Sequence, residues 1–165
     1  MNQKTSRLIY SPISSNQIRL VEIQPGEDDE TACFLETVDR DKASAYRVLS
    51  YVWGSQGDPK TILLNNQPWK VTRNLEAVLR HLRETPSEQR IWIDALSINQ
   101  SDIPERNAQV SEMRQVYSSA SFTILWLGTD PTPSISKLLE MASLCYNSEN
   151  LSDGSWLGWS RSKAQ

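Results

Sequence analysis

The chain has 165 residues, 38% hydrophobic and 22% charged, with six Trp, five Tyr and two Phe. That is enough for one soluble globular domain, and too aromatic for a disordered chain. A net charge of -3 with scattered basic residues excludes an electrostatic footprint for nucleic acid, and two distant cysteines with a single histidine exclude a zinc site. No apolar run reaches the ~18 residues of a membrane span, and Met1-Asn-Gln-Lys-Thr-Ser6 leads into no secretory h-region, so a cytoplasmic location is expected. Cys33 and Cys145 read as buried reduced thiols, with a disulfide left open.

Residues 1–17 read as a polar lead-in, with Leu8-Ile9-Tyr10 as a short strand. Ile18–Ile23 alternates apolar and charged residues and stops at Pro25-Gly26, which predicts a strand followed by a turn; Thr31–Val38 is its antiparallel partner. Tyr46–Trp53 reads as a buried strand that enters the turn-rich loop Gly54–Pro59. Thr61–Leu64 and Trp69–Val71, flanking Asn65-Asn-Gln-Pro68, predict a hairpin. Thr72 caps a helix over 73–84, with Leu75, Val78, Leu79 and Leu82 at i, i+3, i+4 and i+7. A strand is expected at 90–94. Asp102 then opens a helix reaching about Tyr117, with Val110, Met113 and Tyr117 inward. Ser121–Leu127 predicts another strand and 132–145 another helix, while 147–165 reads as a loose tail.

Strands alternating with helices from residue 46 onward predict an α/β fold with a mostly parallel central sheet flanked by helices. The N-terminal strands would extend it as antiparallel edges. The domain is expected over 18–146.

No phosphate-cradling GxxxxGK[ST] and no dinucleotide-binding GxGxxG is present, and His81 lies alone beside the apolar face of its helix. Carboxylates, amides, hydroxyls and aromatics remain, a set suited to binding or to carboxylate-assisted cleavage of an activated bond. They gather in two places. Ser50, Tyr51, Trp53 and Gly54 end one strand, where they either stack a flat ring and bond a sugar or simply pack the core. Asp94, Asn99, Gln100, Glu105, Arg106 and Gln109 follow the next. There Glu105 and Gln109 share a helical face at i, i+4, and Glu105 is either a chemical group or the N3 member of a capping box with Asp102. Asp94 either meets a ligand or bonds loop amides.

Three stretches together resemble the fungal heterokaryon-incompatibility domain: Tyr46-Arg-Val-Leu-Ser-Tyr-Val-Trp-Gly54, Val71-Thr-Arg-Asn-Leu75, and Ile91-Trp-Ile-Asp-Ala-Leu-Ser-Ile-Asn-Gln100 with Glu105-Arg106, Gln109, Met113 and Tyr117. The lead-in Ile18–Gly26 is similar to the strand that often precedes that domain. The resemblance covers about 18–128. It implies nonself recognition and programmed cell death signalling, and a TIR-like, flavodoxin-like fold. TIR enzymes split NAD at the nicotinamide–ribose bond with a glutamate near a helix start. The resemblance therefore implies Glu105 as catalyst, with Ser50, Tyr51, Trp53, Gly54, Asp94, Asn99, Gln100 and Arg106 as substrate-binding residues, NAD as substrate, and no cofactor or metal. Self-association or other cell-death signalling proteins are the implied partners. Two departures stand out. Ser97 occupies a position where the family usually has Cys, and Trp156-Leu-Gly-Trp159-Ser-Arg161 only echoes the family's third motif. A non-catalytic homotypic interaction module and a truncated, inactive relative are the alternative expectations.

Overall fold

In the computed structural model, which describes residues 9–26, 30–55, 57–83 and 90–128, strand β1 (Gln17–Ile23) occupies the middle of a seven-stranded sheet. The other strands are β2 (Ala32–Asp39), β3 (Arg47–Tyr51), β4 (Lys60–Leu64), β5 (Gln67–Val71), β6 (Arg90–Trp92) and β7 (Phe122–Trp126). Their order across the sheet is β5-β4-β2-β1-β6-β3-β7. Three pairings are parallel (β2 with β4, β3 with β6, β3 with β7) and three antiparallel (β1 with β2, β1 with β6, β4 with β5).

The expected mostly parallel sheet is therefore mixed, and the N-terminal strands are central, not edges. The reason is burial on both faces of β1. Ile18 and Leu20 enter one core while Val21 and Ile23 enter the other, and even Arg19 is 1% exposed. Such a strand is covered above and below, and β1 is hydrogen-bonded along both edges, to β2 and to β6.

Two cores follow, one on each face. Helix α1 (Arg73–Arg83) covers the first with Leu75, Val78, Leu79 and Leu82, the four residues its spacing predicts. Each such burial contributes roughly 1.5–3 kcal/mol relative to exposure. Thr72 Oγ1 accepts from Leu75 N (3.2 Å) and starts the helix. A one-turn helix, α2 (Asp94–Ser97), follows β6, and α3 (Ile103–Ser119) covers the second core. Asp102 caps α3, its carboxylate accepting from Glu105 N (3.0 Å). The buried residues of α3 are Gln109 and Val116, with Met113 and Tyr117 packed beside them. Val110, expected inside, is 53% exposed. The face is rotated because the Gln109 amide turns inward and donates to the Gln17 carbonyl (3.0 Å).

The β4–β5 hairpin turns on Asn65 and Asn66, both at positive φ (50° and 61°), as a two-residue type I′ turn requires. Ile9 and Tyr10 form no strand but are buried in the first core. The described residues belong to one compact unit, Met1–Thr129. The expected helix over 132–145 and tail over 147–165 lie outside the described residues.

Candidate functional site

Parallel pairing of β3 with β6 brings their carboxyl ends to the same side of the sheet, so the segment after Tyr51 meets the connection after Trp92. The β5 strand and the start of α1 close over this junction. Between them lies a cavity of about 350 Å³, walled by Tyr51, Trp53, Trp69, Leu75, Ala95 and Gln100, with Lys70 and Thr72 on its border. That size accommodates a flat ring and part of an attached group, and aromatic walls with a few polar groups are the usual makeup of a small-molecule pocket.

Of the two expected clusters, Tyr51 and Trp53 meet Asp94 and Gln100 here. Trp53 Nε1 donates to Asp94 Oδ2 (3.0 Å) and Gln100 Nε2 donates to the Asp94 carbonyl (3.0 Å). Asp94 Oδ1 accepts from Ala95 N (2.7 Å). Burial raises the Asp94 pKa above the ordinary carboxylate value, partly offset by the bonds from Trp53 and Ala95. Burial also raises Tyr51, with the Asp94 charge adding to it, and the same two causes raise Tyr117, against a hydrogen bond with Ser50. Ser50 therefore faces Tyr117 and the second core, away from the cavity, as strand alternation demands. Gly54 adopts φ +74°, a conformation that favours glycine, and turns the chain directly after Trp53.

Glu105 is placed elsewhere. Its Oε1 accepts from Arg19 Nη1 (2.6 Å) and from Asn99 N (2.8 Å), and its Oε2 from Arg19 Nη2 (3.0 Å). The guanidinium also donates to the carbonyls of Ser97 (3.0 Å) and Ser11 (2.6 Å) and lies 4.9 Å from the Tyr10 ring centroid. Both carboxylate oxygens are engaged, and Glu105 does not line the cavity. It ties β1, the end of α2 and the start of α3 together. Asn99 serves the same node through its backbone, and its side chain accepts from Ser101 N (3.2 Å). Arg106 is exposed on α3 and stands outside the cavity wall.

Sequence reasoning missed four contributors. Trp69 and Leu75 come from the hairpin and α1, distant in sequence. Arg19 carries no signal of its own: in a strand that alternates apolar and charged residues it reads like the exposed Glu22. Asn74 donates to the Val52 carbonyl (2.5 Å) and accepts from Trp126 Nε1 (2.9 Å), and so holds the segment before Trp53 against β7. Its signal was its place in Val71-Thr-Arg-Asn-Leu75. No cluster of three or more His, Cys, Asp or Glu that could hold a metal occurs among the described residues.

The family model for the heterokaryon incompatibility protein (HET) matches residues 46–161. The chain belongs to the HET family. The matched span carries Tyr51, Trp53, Asp94 and Gln100 but begins after β1 and β2, so the HET match leaves out two central strands. A curated relative, heterokaryon incompatibility protein 6, OR allele, of Neurospora crassa, is 35% identical over 129 residues, covering 69% of this chain and 19% of the relative. The chain spans about a fifth of that HET protein's length. No solved structure matches the chain. No helix among the described residues is long and apolar enough to cross a membrane.

Proposed function

We propose that this HET domain is a nonself-recognition and cell-death signalling module whose cavity takes the flat base of an NAD-type dinucleotide. The observation that carries this reading is the aromatic cavity at the carboxyl ends of parallel strands β3 and β6, the place where open α/β sheets hold nucleotides. Tyr51, Trp53 and Trp69 supply stacking faces, and Gln100 supplies an amide for a carboxamide-bearing ring. TIR-like cleavage is the finer form of the proposal: water replaces nicotinamide at the anomeric carbon, nicotinamide departs, and a nearby carboxylate stabilises the oxocarbenium charge. Glu105 enters this reading as the residue that holds α3 in place, since its oxygens are committed to Arg19 and Asn99.

The test is calorimetric titration of purified protein with NAD, together with nicotinamide release measured across a range of protein concentrations. Binding with release that rises on self-association supports the enzyme. Absence of any NAD binding overturns the cavity reading.

A second reading has its own support. Val52 and Leu125 are 72% and 61% exposed, on the segment after β3 and on neighbouring β7. Apolar side chains of that exposure suit a homotypic or cell-death-partner surface with no catalysis. NAD binding without release, with concentration-dependent oligomers, favours that reading.

A further inference from the structure

We propose that Asp94 is the ligand-binding carboxylate of the cavity, and that this structure shows it masked by the Trp53 indole, which a nucleoside's vicinal diol displaces. The proposal rests on the dinucleotide reading above and assigns to it a residue and a gate.

Asp94 follows β6 at the carboxyl end of a parallel strand, where an acidic side chain is placed to accept the hydroxyls of a ribose. Yet Asp94 is not itself part of the cavity wall: Trp53, Ala95 and Gln100 are, and Asp94 is bonded to all three. Oδ1 is committed to the backbone of Ala95 and the main-chain carbonyl to Gln100. Among the described residues, Oδ2 is held by the Trp53 indole N–H alone, and Trp53 lines the cavity while Asp94 does not.

The indole is the replaceable partner. Trp53 is 40% exposed and lies outside both cores. Its neighbours fix the pivot. Asn74 anchors the carbonyl of Val52 on one side, and Gly54 supplies a positive φ on the other. Rotation of the Trp53 side chain about that fixed backbone exposes Oδ2 and leaves the ring free to stack on a base. A diol offers the carboxylate two hydroxyl donors where one indole N–H stood, so one charge-assisted bond is replaced by two. A base without its sugar gains no such bonds and has to displace the indole unaided.

Two probes, nicotinamide and nicotinamide riboside, are titrated into wild type, Asp94→Asn and Trp53→Phe. Asp94→Asn is expected to weaken the riboside about tenfold and not to weaken nicotinamide, because only the diol loses a charged acceptor. Trp53→Phe keeps a stacking ring but removes the N–H. It is expected to bind the riboside about tenfold more tightly, the low end for one hydrogen bond to a charged group. Near-UV circular dichroism of each variant reports its fold, and Trp53→Phe alters only a partly exposed ring. Riboside binding equal in wild type and Asp94→Asn overturns the assignment while leaving the cavity reading intact. Riboside binding no tighter in Trp53→Phe overturns the mask. If neither probe binds wild type, the cavity reading falls and this inference with it.

Discussion

Glu105→Ala should destabilise the domain by about 3–5 kcal/mol, the range for removing one partner of a buried ion pair. Arg19 is 1% exposed, so its guanidinium is left poorly hydrated once the carboxylate is gone. Among the described residues it would keep the carbonyls of Ser97 and Ser11, and its Nε has no partner there. Asn99 N would lose its acceptor as well. Glu105 is 12% exposed, and some water can follow the truncation, which places the expected loss near the lower end, about 3 kcal/mol. Urea unfolding reads this directly. With an m-value of about 1.5–2 kcal/mol/M, the midpoint should fall by roughly 1.5–2 M at unchanged slope. Arg40–Glu112 is the control: its carboxylate is 33% exposed, and Glu112→Ala should cost under about 1 kcal/mol. A Glu105→Ala loss no larger than that of Glu112→Ala would show that the Arg19 pair is solvated, and would refute the reasoning.

Three further outcomes follow from the same structure. Asn66→Gly should stabilise by about 0.5 kcal/mol by relieving a positive φ, whereas Asn65→Gly should destabilise, because the Asn65 side chain accepts from Leu35 N and donates to the Ile9 carbonyl; thermal unfolding separates the two. A fragment beginning at residue 46, where the family match begins, should lack native structure by circular dichroism, since it omits the central strand β1; a dispersed, cooperative fragment would contradict this. Burial raises Asp94 above its ordinary 3.8, so the folded state keeps that proton to a higher pH than the unfolded chain. Its contribution to stability falls as pH climbs from 3.8 through the raised value and stays reduced above it. Asp94→Asn should therefore look more stable relative to wild type at pH 7 than at pH 3, and an equal difference at both would count against the buried charge.

Local chemistry was legible where it decides local structure. The i, i+3, i+4, i+7 spacing of Leu75, Val78, Leu79 and Leu82 found α1 and its buried face, and Asp102 and Thr72 marked helix starts that the structure bears out. The hairpin was legible from two apolar runs around an asparagine turn. Strand order was not, because it depends on which residues distant in sequence meet. The alternation Ile18-Arg-Leu-Val-Glu reads as a strand with one wet face. Only the arrival of Glu105 from α3 makes a dry Arg19 tolerable, and with it a central β1. The same holds for Gln109, which lies inside where Val110 was expected because a carbonyl on β1 waits for its amide. At the site, Tyr51, Trp53, Asp94 and Gln100 were legible as a polar-aromatic cluster at strand ends. Trp69 and Leu75 were not, since nothing in their own segments points toward the loop after β6.

The Arg19–Glu105 pair also decides what a loss of function at position 105 means. Arg19 holds the Ser97 carbonyl and Glu105 holds the Asn99 amide, so the pair grips both sides of the short connection that presents Gln100 to the cavity. Loosening that grip displaces Gln100 and, through its bond to the Asp94 carbonyl, the wall beside Trp53. Glu105→Ala can therefore abolish any nicotinamide release without Glu105 ever touching a substrate. The double variant Arg19→Met/Glu105→Leu separates position from chemistry, because replacing both members of a buried pair by apolar side chains removes the stranded charge and typically restores much of the stability. Glu105 and Arg19 are in direct contact, so a coupling energy of about 2–3 kcal/mol is expected from the cycle. If the double variant refolds and regains NAD binding with any nicotinamide release, Glu105 acts by holding the wall. If it refolds and binds yet releases nothing where wild type does, the carboxylate at 105 takes part in the chemistry, and a purely structural role for Glu105 is refuted.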